Sequence, residues 1–253
     1  MNAMSLKAIV ENALRPGYLP VIAGKVWTRL AEPGRRRARA RAWCREHRED
    51  AETYARALDV GLWEESVAFG VELAAFAERR LKEVDAPLGG GGFVEFIYFL
   101  TRHLRPTTVV ETGVAAGFTS CAILEALVRN DGGRLYSSDF PYFRLRAPEQ
   151  YIGLLVEDHL KERWELFTMG DRENLKQITE KVDHIDIFHY DSDKSYRGRR
   201  LALGLIEKHL RPGSAIVMDD IDDNLFFRDF VRNSAYRHHV FPCGGKYVGV
   251  VFV

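Results

Sequence analysis

A β-prone run that ends on an acid and breaks into two glycines constrains this chain more than any other feature. It reads Val109-Val110-Glu111-Thr112-Gly113-Val114-Ala115-Ala116-Gly117-Phe118-Thr119-Ser120. Thr107 to Val110 has the composition of a buried strand, and apolar residues at helical spacing resume from Cys121 to Val128. A strand, a tight turn and a helix start form the unit at which open α/β sheets hold nucleotide-like ligands. Glycine there lets the backbone pass close to a ligand where a side chain would collide with it. The turn lacks the third glycine of the dinucleotide fingerprint and the lysine of the phosphate-binding loop, so it is not built for a pyrophosphate or a triphosphate.

Other runs end in acids too. Arg134 to Ser138 leads to Asp139, and Trp164 to Met169 leads to Gly170-Asp171. Ile185 to Tyr190 leads to Asp191-Ser192-Asp193-Lys194, and Ile216 to Met218 leads to Asp219-Asp220. Between the last two, Arg197 to Leu210 reads as a helix closed by Arg211-Pro212-Gly213. Such a β-α-β unit makes its two strands parallel, with both carboxyl ends on one side. If the two strands are neighbours, their ends lie about 5 Å apart, and Asp191, Asp219 and Asp220 converge. Carboxylates that close repel one another, and a hard divalent cation with oxygen ligands is the usual relief. The plainer alternative is that Asp219-Asp220 start a solvated loop while Asp191 orients ligand groups.

The E-x-G-x-x-x-G turn resembles the first motif of class I S-adenosylmethionine-dependent methyltransferases. D-x-D-K-x-Y at Asp191 to Tyr196, followed by Asp219-Asp220, resembles the metal-dependent O-methyltransferases. These include the catechol and caffeoyl-coenzyme A enzymes and the macrolide and aminocoumarin sugar enzymes. Gln150-Tyr151-Ile152-Gly153, with His189-Tyr190-Asp191-Ser192-Asp193, is similar to a mostly uncharacterised bacterial branch. The resemblance covers roughly residues 88 to 253. It implies an α/β, Rossmann-like seven-stranded sheet with a terminal antiparallel hairpin. It implies S-adenosylmethionine as cofactor, held by Glu111, Gly113, Gly117, Asp139 and Asp171. Asp139 would accept both ribose hydroxyls, as the two oxygens of a carboxylate allow. Asp171 would meet the adenine amine, although it could equally serve as the N-cap of a helix over Glu173 to Ile178. Asp191, Asp219 and Asp220 would hold Mg2+ or another divalent cation.

Two departures from that pattern stand out. Catechol-type sites carry Asp-Asn where this chain has Asp219-Asp220. The catalytic base is also doubly represented: Lys194 matches the catechol-type position and Asp193 the sugar-modifying one. The implied reaction is methyl transfer to a hydroxyl of a small metabolite (a sugar, a polyketide-type scaffold or a catechol-like ring), with the cation lowering the hydroxyl's pKa.

At 253 residues the chain can bury one α/β core plus an appended segment. Zero net charge argues against a general polyanion binder. The basic cluster Arg35 to Arg41 nonetheless invites an RNA methyltransferase as an alternative. Glu46, Glu49, Asp50 and Glu52 follow it directly, which favours a solvated or interface-facing helix. A non-catalytic ligand-binding protein on the same fold is a further alternative. Cys44, Cys121 and Cys243 show no paired spacing and suit a reducing compartment. Met1 to Asn12 carries Lys7 and Glu11 and no long apolar run, so neither a signal peptide nor a membrane span is expected, and the cytoplasm is the expected location.

Residues 1–87 read as a helical segment that would cap the site, act as a lid or form a homodimer face, and residues 88–253 as the methyltransferase domain. Within the first, Arg35 to Leu58 reads as one long charged helix and Leu62 to Val84 as an amphipathic one. Asp85 to Gly92 is a glycine-rich joint, either a hinge or a plain linker, before a helix over Phe93 to Leu104. His189, two residues before Asp191, could reach the site or pack in the sheet; about 7 Å back from its strand's end, it is expected to pack. His238-His239, in a strand over Tyr236 to Phe241, carry no assigned role. Lys246 to Val253 should pair with that strand through Cys243-Gly244-Gly245.

Overall fold

The computed structural model describes residues 34–82, 84, 88, 90–142, 145 and 147–253, with Glu11, Asn12, Arg15, Tyr18, Leu19 and Val21. Met1 to Val10 lie outside the described residues, as do Asp85, Ala86, Pro87 and Gly89 of the glycine-rich joint. Seven strands form one sheet: β1 (Thr108–Thr112), β2 (Arg134–Ser138), β3 (Trp164–Phe167), β4 (Ile185–Tyr190), β5 (Leu210–Met218), β6 (Arg237–Cys243) and β7 (Lys246–Phe252). Their order is β3-β2-β1-β4-β5-β7-β6. β1 to β5 run parallel, and β7 inserts antiparallel between β5 and β6, as the resemblance implied.

Eight helices are described in full: α1 (Gly34–His47), α2 (Ala51–Leu58), α3 (Val60–Leu81), α4 (Val94–Leu104), α5 (Phe118–Arg129), α6 (Asp171–Lys181), α7 (Tyr196–Ile206) and α8 (Phe226–Arg232). Successive strand residues point to opposite faces. Val109, Ile187, Ala215, Val217 and Val250 join a core with α2, α3, α4 and α5. Val110, Phe188, Ile216, Met218 and Val251 join a second core with α1, α6, α7 and α8. Because both faces are covered, the central strands are apolar nearly throughout rather than alternating.

The long helix expected over Arg35 to Leu58 is broken. Asp50 leaves helical geometry (φ −89°, ψ 123°), and its carboxylate accepts the Thr53 N–H, which starts α2 with an N-cap. Asp59 does the same for α3 through the Leu62 N–H. In the gap, Arg48 bridges to Val240 and the Glu49 N–H donates to the Val240 carbonyl at 2.8 Å. The break thus covers part of the β6 edge, an otherwise open row of hydrogen-bonding groups. The helix expected over Arg197 to Leu210 ends at Ile206, and a short 3₁₀ turn, Glu207–His209, carries the chain into β5. Among the described residues, no helix is long and apolar enough to cross a membrane.

Candidate functional site

The carboxyl ends of β1, β2, β4 and β5 share one edge of the sheet. The β1–α5 turn is drawn against its neighbours. Gly113, at φ 84°, donates to the Ser138 carbonyl at 2.8 Å, and a Cβ there would stand 2.7 Å from the Asp191 carbonyl carbon. Only glycine combines that left-handed conformation with so close an approach. Gly117, at φ 98°, precedes α5 and faces Gly153. Asp139 secures the turn from β2: one oxygen accepts the Ala115 N–H at 2.9 Å and the other its neighbour's Phe140 N–H at 2.6 Å.

Glu111 lies beneath the turn. It is fully buried, and one oxygen accepts hydroxyls from Ser120 at 2.6 Å and Ser137 at 2.9 Å. Its other oxygen stands 3.7 Å from His189 Nδ1. Glu111, His189 and Val217 sit side by side across β1, β4 and β5. His189 is buried in the sheet, and it also lines a cavity with Gly113, Asp191 and Asp219. Phe93, Ile97, Phe118, Val217 and Val248 make that cavity's apolar walls, and Gly90 to Gly92 cross it. A Cβ at Gly91 would stand 2.6 Å from the Phe118 ring. Gly91 is therefore packed against the first residue of α5.

Asp171 is not the N-cap of α6. That position belongs to Gly170, at φ 87°, and Asp171 begins the helix itself. Its carboxylate accepts hydroxyls from Ser138, at 2.8 Å, and from Ser192.

Asp191, Asp219 and Asp220 do converge, with ligand oxygens all within 4.8 Å of one another. Lys194 lies among them: its ammonium contacts Asp191 and stands 3.3 Å from Asp219 and 3.1 Å from Asp220. Lys246, from β7, donates to the same Asp220 oxygen at 2.7 Å. Burial opposes the charge on Lys246, but Asp220, then Asp223 and Asp219, overcome it and raise its pKa. The backbone of Asp220 is left-handed (φ 51°), an uncommon conformation outside glycine. Arg199, fully buried, fixes that turn by donating to the carbonyls of Asp219 at 2.9 Å and Asp220 at 2.8 Å.

Of the two candidate bases, Asp193 is turned away from this cluster. Its carboxylate accepts the Ser195 N–H at 3.0 Å and packs over Gly198 in the first turn of α7. Lys194 is the one brought to the acids, and Asn224 holds its carbonyl at 2.7 Å. Nothing in the linear spacing separated the two, because neighbouring residues in a loop differ only in where their side chains point. Lys246 and Arg199 had no signal at all, since both reach the acids through tertiary packing.

As a donor set the three carboxylates suit a hard divalent cation, and the buried Asp220 Oδ1 accepts no hydrogen bond among the described residues. The α1 arginines face the same acidic turn from behind. Arg37 pairs with Asp223 at 3.0 Å, and Arg41 lies 3.8 Å from buried Asp222 and donates to the Gly245 carbonyl at 2.6 Å. Burial, and next the neighbouring Asp220, raise the Asp223 pKa against the pull of Arg37. Cys44 and Cys121 are buried and Cys243 partly so, and burial pushes all three thiols up, Cys44 to about 12.

No curated protein matches the chain in sequence. Among solved structures, a methyltransferase from Geobacter sulfurreducens superposes with a TM-score of 0.55 at 19% identity, over 72% of this chain and 88% of that one. The O-methyltransferase TomG from Streptomyces achromogenes, involved in tomaymycin synthesis and solved with S-adenosylmethionine, gives 0.54 at 16%, over 72% and 88%. An O-methyltransferase from Bacillus cereus, solved with S-adenosylhomocysteine, gives 0.50 at 16%, over 80% and 96%. These likenesses show the fold. Residues 110–221, from the middle of β1 past the acidic pair after β5, match a family described as a methyltransferase domain. The chain therefore has the fold of the class I methyltransferases, and its residues 110–221, which match a methyltransferase domain, contain that edge of the sheet.

Proposed function

We propose that the chain is an O-methyltransferase acting on a small hydroxylated acceptor, with Lys194 as the base. The observation that carries this reading is Lys194 set among Asp191, Asp219 and Asp220 beside the cavity at the glycine turn. Gly113, Gly117 and Asp139 are the groups we assign to the cofactor, with Glu111 supporting the turn from below. A sulfonium methyl is already activated, so the protein's main task is to hold acceptor oxygen, methyl carbon and sulfur in line. The O–CH3 bond forms as the S–CH3 bond breaks, and the hydroxyl proton passes to Lys194 as the neutral amine, after its ammonium has given a proton to solvent.

The cavity joins polar Thr119, His189, Asp191 and Asp219 to apolar Phe93, Ile97, Phe118, Val217 and Val248. Such a mixed lining suits a small acceptor that carries hydroxyls. A divalent cation on the three aspartates would supply Lewis acidity that lowers the hydroxyl's pKa. It would also take over as counter-charge to the carboxylates, leaving Lys194 free to accept the proton. The RNA reading loses support from Arg37 and Arg41, which are engaged with Asp223, Asp222 and Gly245. In the same reading residues 1–87 cap residues 88–253, and the protein works in the cytoplasm, as a monomer or a homodimer.

Calorimetric titration of S-adenosylhomocysteine, with Mg2+ and after EDTA treatment, tests the assignment. Saturable binding in either condition is expected. Its absence from both would sink the cofactor reading, and a Mg2+ titration of the complex that shows no heat would sink the metal.

A further inference from the structure

Asp171 joins two strand ends that belong to different halves of the site. Ser138, at the end of β2, donates its hydroxyl to one oxygen of Asp171 at 2.8 Å. Ser192, immediately after Asp191 at the end of β4, donates to the other. The Ser192 hydroxyl also meets Thr112 Oγ1, at the end of β1, at 3.1 Å. Behind Ser138, the fully buried Asn174 donates to its Oγ at 2.9 Å and accepts the Met169 N–H at 2.8 Å. One hydrogen-bonded chain therefore runs from α6 through Asn174, Ser138, Asp171 and Ser192 to Thr112.

The neighbours in sequence give this chain its meaning. Ser138 precedes Asp139, which secures the glycine turn, and Ser192 follows Asp191, which contacts Lys194. We propose that Asp171 is a positioning residue that couples the cofactor-binding ends of β1 and β2 to the Asp191–Lys194 segment. This replaces a direct contact with the cofactor's base as its role, and it rests on the proposed cofactor site. Hydroxyls bonded to an ionised carboxylate are short and directional, and Ser138 and Ser192 are short side chains that reach Asp171 from one arrangement of the strand ends. Order imposed at β2 is thereby imposed at the loop after β4. Coupling of this kind is reciprocal in free energy.

Hydrogen exchange of the full-length protein, read over residues 189–196 with and without saturating S-adenosylhomocysteine, tests the coupling. In the wild type the ligand should slow exchange across Asp191 to Ser195 by about tenfold, within the usual range of site-to-site coupling. In Ser192→Ala the ligand should still bind within about threefold, while that slowing falls below about twofold. Ser192→Thr, which keeps the hydroxyl, should restore it. If Ser192→Ala does not fold, Asp171→Asn at saturating ligand serves instead, with the same loss of slowing expected. Undiminished slowing in the folded variant, or binding to the wild type without any slowing, overturns the inference. Absence of ligand binding to the wild type is a different failure, seen in the titration, and removes the cofactor site beneath it.

Discussion

The ammonium of Lys194 lies 3.1 Å from the carboxylate of Asp220, although the two residues come from different strand ends. Asp191 and Asp219 also border that ammonium, and Lys246 shares the same Asp220 oxygen. Where the catechol-type pattern has asparagine, this chain has an acid, and Lys246 answers the extra charge.

Lys194→Ala should lower turnover by roughly 10²- to 10⁴-fold, the usual contribution of a general base. Affinity for S-adenosylhomocysteine should stay close to wild type, because no cofactor group is assigned to Lys194. The same variant should bind Mg2+ or Mn2+ more tightly, since the competing ammonium is gone. Calorimetry reads both affinities, and a variant with unchanged turnover would exclude Lys194 as the base.

Lys246→Met removes one of the two cations from Asp220, whose side chain is only 7% exposed. The partner lysine is half exposed, so the direct electrostatic loss is modest, about 1 kcal/mol. Chemical denaturation should show that loss in wild type against variant. Asp220→Asn in the Lys246→Met background should recover part of it, because the uncompensated charge is then absent.

Asp186, at the opposite end of the sheet, predicts part of the pH dependence of stability. Burial works against its ionised form. The Thr108 N–H at 3.0 Å, the Thr107 hydroxyl and N–H, and Arg211 at 2.6 Å outweigh burial and lower its pKa. A depressed folded-state value means that the stabilisation is present above the unfolded value, near 3.9 for aspartate. It is lost as pH falls through the folded one. Asp186→Ala should cost roughly 1–3 kcal/mol at neutral pH by leaving the threonine N–H groups unsatisfied. The difference from wild type should shrink in acid, and denaturation midpoints from pH 7 down to pH 2 would show whether it does.

Gly91→Ala places a methyl group against the Phe118 ring, within 2.6 Å of it. Overpacking of that kind costs about 1–3 kcal/mol. The strain falls at the start of α5, beside the glycine turn. Reduced affinity for S-adenosylhomocysteine should therefore accompany the lower melting temperature, whereas Gly90→Ala, which meets nothing within 4 Å, should leave both unchanged.

Much of this arrangement is legible in the linear chain. Acids at strand ends, a β-α-β unit and a paired-glycine turn together require the convergence that Asp191, Asp219 and Asp220 display. Side-chain direction is what linear spacing leaves open. Asp193 and Lys194 are adjacent, and only the start of α7 decides that one caps a backbone N–H while the other turns to the acids. His189 reaches the cavity because the register sets it beside Glu111, a fact about pairing rather than about one strand. The helix break at Asp50 had a readable signal, an aspartate three residues before Thr53, hidden within a run of charges that looked continuous.

The position of β7 also separates the order of synthesis from the order of assembly. β7 follows β6 in sequence yet lies between β5 and β6, so β6 has no edge of the sheet to join until β7 has been made. Lys246 arrives with that strand. A nascent chain that has emerged through Asp220 but not β7 carries Asp219 and Asp220 without it, and its β5 edge is open to strands of other chains. Such late, non-local pairing slows folding and leaves the exposed edge prone to aggregation. The β5 edge that β7 covers in the finished sheet is therefore exposed for as long as the last strand is missing.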